Sequence, residues 1–225
     1  MRAIQNAGGH VGLSARNYPV EATAAISAGQ VVKLSGGLVV CADTAETGPI
    51  LGIAAENHSG AEDVMNRRAN GTEILVYDDP ALIFECPAPV FEAASGTGNT
   101  IVPKDGEVNA DAPDDAFNGA VVRLAEKGPD SQNTAAVGTA VRITDYAADG
   151  TVMTKESGFI PSAGDKFELY PQIGGTVGGI CALNQERTKL VLTAGGLTKI
   201  RCIGHDFDRH MLRLMATEHS LGVEN

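Results

Sequence analysis

The stretch from Ser27 to Ala54, SAGQVVKLSGGLVVCADTAETGPILGIA, constrains the fold more than any other part of the chain. Two short aliphatic runs, Val31-Val32-Lys33-Leu34 and Leu38-Val39-Val40-Cys41, are separated only by Ser35-Gly36-Gly37. A glycine pair supplies the positive φ angles that a tight turn between antiparallel strands requires, so this spacing predicts a β-hairpin. After a polar loop from Ala42 to Gly48, Pro49-Ile50-Leu51-Gly52-Ile53-Ala54 reads as a third short strand. Nothing in the module carries chemistry; it is a compact piece of β-structure.

The same grammar recurs along the chain. Thr72–Tyr77 and Ala81–Cys86 form a second hairpin pattern around Asp78-Asp79-Pro80, and Glu56 to Ala69 reads as a short helix or a surface loop. From Pro87 to Asn118 the sequence is loop-forming, with Pro87, Pro89, Ser95-Gly96-Thr97-Gly98-Asn99 and the acidic run Asp111-Ala112-Pro113-Asp114-Asp115. Ala120–Leu124 and Ala136–Thr144 read as strands, and Asp149-Gly150 marks a turn. Ser162–Leu169 then echoes Ser27–Leu34, Gly179–Asn184 echoes Gly52–Asn57, and Lys189–Cys202 aligns without gaps on Glu73–Cys86. Duplication of one β-unit and coincidence among short Gly- and Ala-rich β-patterns both account for this echo.

At the end of the chain, Phe207, Met211, Leu214 and Met215 fall at helical spacing, with Asp206 as N-cap and Gly222 as stop. This predicts a short C-terminal helix, with a strand over His210–Met215 as the alternative. The expected architecture is mainly β, a barrel or sandwich with Gly-rich hairpins and a possible internal duplication. It divides into an extended N-terminal arm over 1–20, a β-barrel module over 21–90 and an inserted β/loop segment over 91–161. A second β-unit over 162–225 completes the barrel or forms a related lobe.

Composition narrows the function. The 225 residues carry a formal charge of −11. That disfavours nonspecific nucleic-acid binding, which depends on Lys and Arg neutralising phosphates. No apolar run approaches the roughly 18 residues of a membrane span and no signal peptide opens the chain, so neither nucleic acid nor membrane is an expected partner. The first acidic residue is Glu21, which leaves Arg2, His10 and Arg16 in a basic start. That start reads either as a frayed terminus or as a segment that orders on an acidic or grooved partner. Aromatic residues make up 4% of the chain and Trp is absent, so small apolar side chains fill the core and docking onto a partner would add stability.

Four cysteines, Cys41, Cys86, Cys181 and Cys202, are widely spaced inside apolar runs and read as buried thiols rather than disulfides or zinc ligands. His205-Asp206-Phe207-Asp208-Arg209-His210 is the one segment rich in metal-ligand types, and its simpler reading is a capped turn of solvated charges. Asp78-Asp79 and Asp114-Asp115 lie in turn-like sequence read as exposed, where a carboxyl pKa is not raised for acid catalysis. No nucleophile elbow, phosphate loop, dinucleotide fingerprint or zinc-protease motif occurs. No catalytic residue, metal or cofactor is therefore assigned, and a non-enzyme is expected.

The pattern of Ala25–Ala54, with an Ala-Gly before a strand, a Gly-Gly turn and Ile-Leu-Gly-Ile-Ala, resembles the small β-barrel capsid decoration, or head cement, proteins of tailed bacteriophages. Asn70-Gly71-Thr72-Glu73-Ile74-Leu75-Val76 matches their second strand segment. The resemblance covers about the first 90 residues and, more weakly, Ser162–Cys202. It implies a structural virion protein, made in the host cytoplasm, that binds the exterior of an assembled capsid. Its implied partners are the major capsid protein and itself, as a homotrimer, with an N-terminal arm on the shell. On that reading Arg2, Arg16 and Tyr18 are the capsid contacts. The alternatives are another head or tail component, such as a fibre base, and a hydrolase or carbohydrate-binding module using Asp78, Asp79 or a metal site at 205–210.

Overall fold

A computed structural model describes residues 1–6, 13–59, 72–108, 112–146, 153–177, 181–192 and 196–218. Among these the chain is all-β, without a helix. Most of the 56–69 segment, the Asp149-Gly150 turn, Asn70-Gly71, Gly179-Ile180 and His10 lie outside the described residues.

The N-terminal half contributes β1 (Arg2–Asn6), β2 (Ala15–Pro19), β3 (Val31–Ser35), β4 (Leu38–Cys41), β5 (Gly52–Ala54), β6 (Glu73–Tyr77) and β7 (Leu82–Pro87). The Gly36-Gly37 hairpin forms as the sequence predicts: both glycines have positive φ, 59° and 84°, and Ser35 pairs with Leu38 across them. Strands β2, β6, β5, β3 and β4 make a five-stranded antiparallel sheet, and an isolated bridge from Val20 to Val39 links its two ends. Val32, Val39, Leu51, Ile74 and Val76 fill a core of its own inside this curl.

A closed six-stranded barrel follows. It is made of β8 (Val90–Gly96), β9 (Thr100–Pro103), β10 (Val121–Glu126), β11 (Ala140–Tyr146), β12 (Met153–Lys155) and β13 (Lys166–Tyr170). Closure removes the free edges that a short sheet would otherwise expose. The segment read from sequence as an insertion, 91–161, thus supplies nearly all of five of the six barrel strands, and β13, from the segment assigned to a second β-unit, closes the barrel. Its interior holds Phe91, Ile101, Leu124, Ile143, Phe167 and Leu169, and Phe159 stacks on Phe167 with ring centroids 5.2 Å apart. Lys155 is 2% exposed and, among the described residues, has no carboxylate hydrogen bond. Its ammonium instead donates to the carbonyls of Gly98, Glu156 and Phe159 at 2.7, 3.3 and 2.8 Å, tying two loops together.

The remaining strands are β14 (Ala182–Leu183), β15 (Leu190–Val191), β16 (Ile200–Asp206) and β17 (Met211–Ala216). The first two pair as a small ribbon. The last two form a hairpin that joins β1 and β7 in a four-stranded sheet of order β1-β7-β17-β16. This corrects the predicted C-terminal helix, and the alternative strand over His210–Met215 is close to the observed β17. Leu212, Leu214 and Ala216 alternate with Met211 and Arg213, a period of two that places one set on the core. Hydrogen-bonded neighbours on both sides of β17 outweigh the coincident helical spacing. Asp206 does act as a cap, but for a turn: its Oδ1 accepts the Arg209 N–H at 3.1 Å.

The echo between Ser27–Leu34 and Ser162–Leu169 is a real local motif. Gly29 and Gly164 have φ of 85° and 83°, and in each case the fourth residue donates to the first, Gln30 to Ser27 and Asp165 to Ser162, both at 3.1 Å. Each turn also forms a bulge in which two residues face one. The Gly29 N–H donates to Ala54, whose own N–H donates to Gln30, and Gly164, Ala93 and Asp165 repeat that pattern. The partner strand differs. It is β5, downstream, in the first case and β8, upstream, in the second.

Candidate functional site

Strand β7 is an inner strand with five consecutive buried residues, Leu82 to Cys86. Phe84 and Cys86 face the shared core, which leaves Ile83 and Glu85 on the opposite face of the sheet. The register puts Arg2 opposite Glu85 on one side and Arg213 opposite it on the other. Arg2 donates to Glu85 Oε2 at 2.7 Å, Arg209 donates to both carboxylate oxygens at 2.9 and 3.1 Å, and Arg213 Nε lies 3.6 Å away. Burial alone raises the Glu85 carboxyl pKa, but the hydrogen bonds and charges of Arg2 and Arg209 prevail and hold it below its ordinary value. Asp206 adds a second carboxylate, 3.7 Å from both Arg209 and Arg213. One row along, Met215 pairs with Ile83 and with Arg201, so Arg201 shares this face. Among the described residues, the outer face of the four-stranded sheet therefore carries four arginines against two carboxylates. The Arg2, Arg209 and Arg213 side chains remain 63%, 48% and 44% exposed.

Arg16 and Tyr18 sit elsewhere. Strand β2 pairs with β6, and both side chains reach Asp78 just beyond the end of β6. The Tyr18 hydroxyl donates to Asp78 Oδ2, and Arg16 Nε lies 3.5 Å from the same oxygen. Burial, then the hydrogen bond to Asp78 and its charge, push the Tyr18 pKa up to about 12. Asp78 is 1% exposed, which corrects the reading of Asp78-Asp79 as an exposed pair. The three residues assigned from sequence are thus not brought together. Each is anchored on a buried carboxylate of its own chain, Arg2 on Glu85 and the other two on Asp78. Arg2 and Arg16 keep most of their surface open to a partner.

The histidines of the 205–210 segment point to different partners. His205 Nε2 hydrogen-bonds the Pro171 carbonyl at 2.8 Å, its ring is edge-on to Tyr170, and burial lowers its pKa despite that bond. His210 Nδ1 lies 2.6 Å from Glu168 Oε1, while Glu168 Oε2 accepts from Arg123 and the Tyr170 hydroxyl, both at 2.9 Å. Asp206 faces Arg209 and Arg213. Ligand-type side chains that are adjacent in sequence are thereby dispersed, and among the described residues no group of three or more His, Cys, Asp or Glu is placed to hold a metal ion. These contacts join the hairpin turn to the barrel.

The sequence singles out Arg2 but not Arg201, Arg209, Arg213 or Glu85 as its companions. The Glu85–Arg209 pair spans 124 residues, and only the alternation of Leu212, Leu214 and Ala216 around Arg213 signals a strand with a basic outer face. No protein-family model, curated protein or solved structure matches the chain.

Proposed function

We propose that this protein is a structural virion component that docks on the exterior of an assembled bacteriophage head, with its arginine face toward the major capsid protein, and stabilises the shell. The observation that supports this reading is the uneven distribution of charge. Residues 90–170 contain 13 acidic and six basic side chains, whereas the outer face of the four-stranded sheet has twice as many arginines as carboxylates. A chain of net charge −11 that carries a positive face has a preferred orientation toward an acidic protein surface and is repelled by nucleic acid.

The mechanism is buried area. A standard specific interface removes roughly 1,200–2,000 Å² from water, and every subunit so clamped costs more free energy to detach. Arg2 contributes from the arginine face, and Arg16 and Tyr18 form a second, separate contact. Cosedimentation with assembled capsids tests the reading. The wild-type protein is expected in the pellet, and an Arg2→Glu/Arg213→Glu variant that retains its fold by circular dichroism is expected to pellet poorly. Wild-type protein remaining in the supernatant would sink the proposal.

A further inference from the structure

We infer that the outer face of the four-stranded sheet receives an extended, acidic protein segment whose carboxylates, at alternate positions, are bound by Arg2, Arg201, Arg209 and Arg213. The first observation is a donor surplus. Each guanidinium carries five N–H donors. Glu85, the carboxylate they surround, accepts three close bonds, one from Arg2 and two from Arg209. Arg213 reaches its carboxylates only at 3.6 and 3.7 Å.

The second observation is independent of charge counting. Arg201 Nε is buried and has no hydrogen-bond partner among the described residues. An unpaired N–H of this kind costs free energy, and a carboxylate that draws the half-buried Arg201 side chain outward supplies the missing acceptor. Geometry fixes the spacing. Arg2 and Arg213 lie in the row of Glu85, and Arg201 lies in the next row of the same face, two residues along β17. Two residues of strand span about 7 Å, which is also the separation of alternate side chains in an extended peptide. An acidic-x-acidic segment therefore meets both rows at once, as an isolated carboxylate does not.

A nucleic acid extends beyond the arginine face and meets more of the excess of seven negative charges over residues 90–170 than a short acidic segment does, so it is the more strongly repelled of the two.

This inference names the chemistry of the partner on the proposed docking surface, and its test needs no capsid. The full chain is titrated at low salt with a synthetic peptide of four Glu-Thr repeats, with the matching Lys-Thr peptide and with an oligothymidylate. The Glu-Thr peptide is expected to bind, and each of Arg201→Gln and Arg213→Gln is expected to weaken it about tenfold, the usual size of one charge-assisted contact. The Lys-Thr peptide and the oligothymidylate are expected not to bind. Arg142→Gln, in the barrel, is the control and is expected to leave the affinity unchanged. Thermal melts identify any variant that has lost its fold, and Arg201→Lys, which keeps the charge but loses the fork, is expected to recover only part of the affinity. Failure of the Glu-Thr peptide to bind, binding indifferent to Arg201 and Arg213, or tighter arginine-dependent binding of the oligothymidylate each overturns the inference. Peptide binding without capsid cosedimentation would retain this inference and reject the capsid as partner.

Discussion

Arg209 and His210 are consecutive in the chain and hold two different parts of the molecule. Arg209 grips Glu85 in the four-stranded sheet, and His210 grips Glu168 in the barrel. Between the two residues the chain reverses into β17, with His210 at a left-handed φ of 56°. The turn between β16 and β17 is thus a staple: one side chain closes the arginine face, and the next fastens the hairpin to Glu168, Arg123 and Tyr170.

Glu85 gives that staple a pH dependence. Its carboxyl pKa is held below the ordinary 4.5, because hydrogen bonds from Arg2 and Arg209 outweigh the opposing effect of burial. A depressed folded-state pKa contributes stability that is fully present above about 4.5 and is lost as pH falls through the lower folded value. Glu85→Gln is therefore expected to destabilise the protein at pH 7 by about 2–3 kcal/mol, less than a fully buried pair because the arginines are partly exposed. Urea melts at pH 7, 5 and 3 are expected to show that difference shrinking as pH falls below 4.5. A constant difference would remove Glu85 from the acid response.

The two turn-and-bulge motifs offer a matched comparison. A Cβ added at Gly164 meets Gly128 Cα at 3.5 Å, an ordinary contact, so Gly164→Ala bears only the left-handed backbone strain of about 1–2 kcal/mol. At Gly29 the same strain is joined by a Cβ 2.8 Å from the Met1 carbonyl oxygen, on a segment whose ammonium donates to Gly29 and Thr188 carbonyls at 2.9 and 2.8 Å. Gly29→Ala is expected to lower thermal stability more than Gly164→Ala. Equal melting temperatures would mean that the N-terminal residue gives way freely.

Cysteine reactivity reports on the core. Burial pushes Cys86 up to about 12, Cys202 up to about 11 and Cys181 well above its ordinary value. Cys41 is also raised by burial but is half-buried at the end of β4. Because the thiolate is the reactive form, native protein is expected to release one equivalent of thionitrobenzoate from a disulfide reagent, and four after denaturation. A Cys41→Ser variant that still releases one equivalent would contradict this assignment.

Local chemistry makes some turns legible and not others: the second hairpin expected around Asp78-Asp79-Pro80 does not form, because β6 pairs with β2 and β5 while β7 pairs with β1 and β17. Gly36-Gly37 announces its hairpin because two adjacent glycines with positive φ are nearly a specification of that turn. The Ser-Ala-Gly echo is legible for the same reason, although its pairing partners are not, since β5 and β8 are chosen by the sheet as a whole. The C-terminal segment misled because Phe207, Met211, Leu214 and Met215 fit a helix as well as a strand. Over so short a run, only the neighbours β7 and β16 decide. Asp78 looked exposed in a turn sequence, whereas Tyr18, a strand away, covers it. The arginine face was invisible because its members come from Arg2, Glu85 and the 201–213 hairpin.

The barrel begins and ends on adjacent strands, with Val90 paired to Glu168. Once it has closed, the chain between Glu85 and Arg209, which are 124 positions apart, no longer acts as one long floppy loop. Loop-closure entropy grows with the length of chain left disordered. A barrel that forms first would therefore bring Glu85 and Arg209 within easy reach of each other. Slow folding of the barrel would delay the arginine face, since that face exists only when the first and last strands meet.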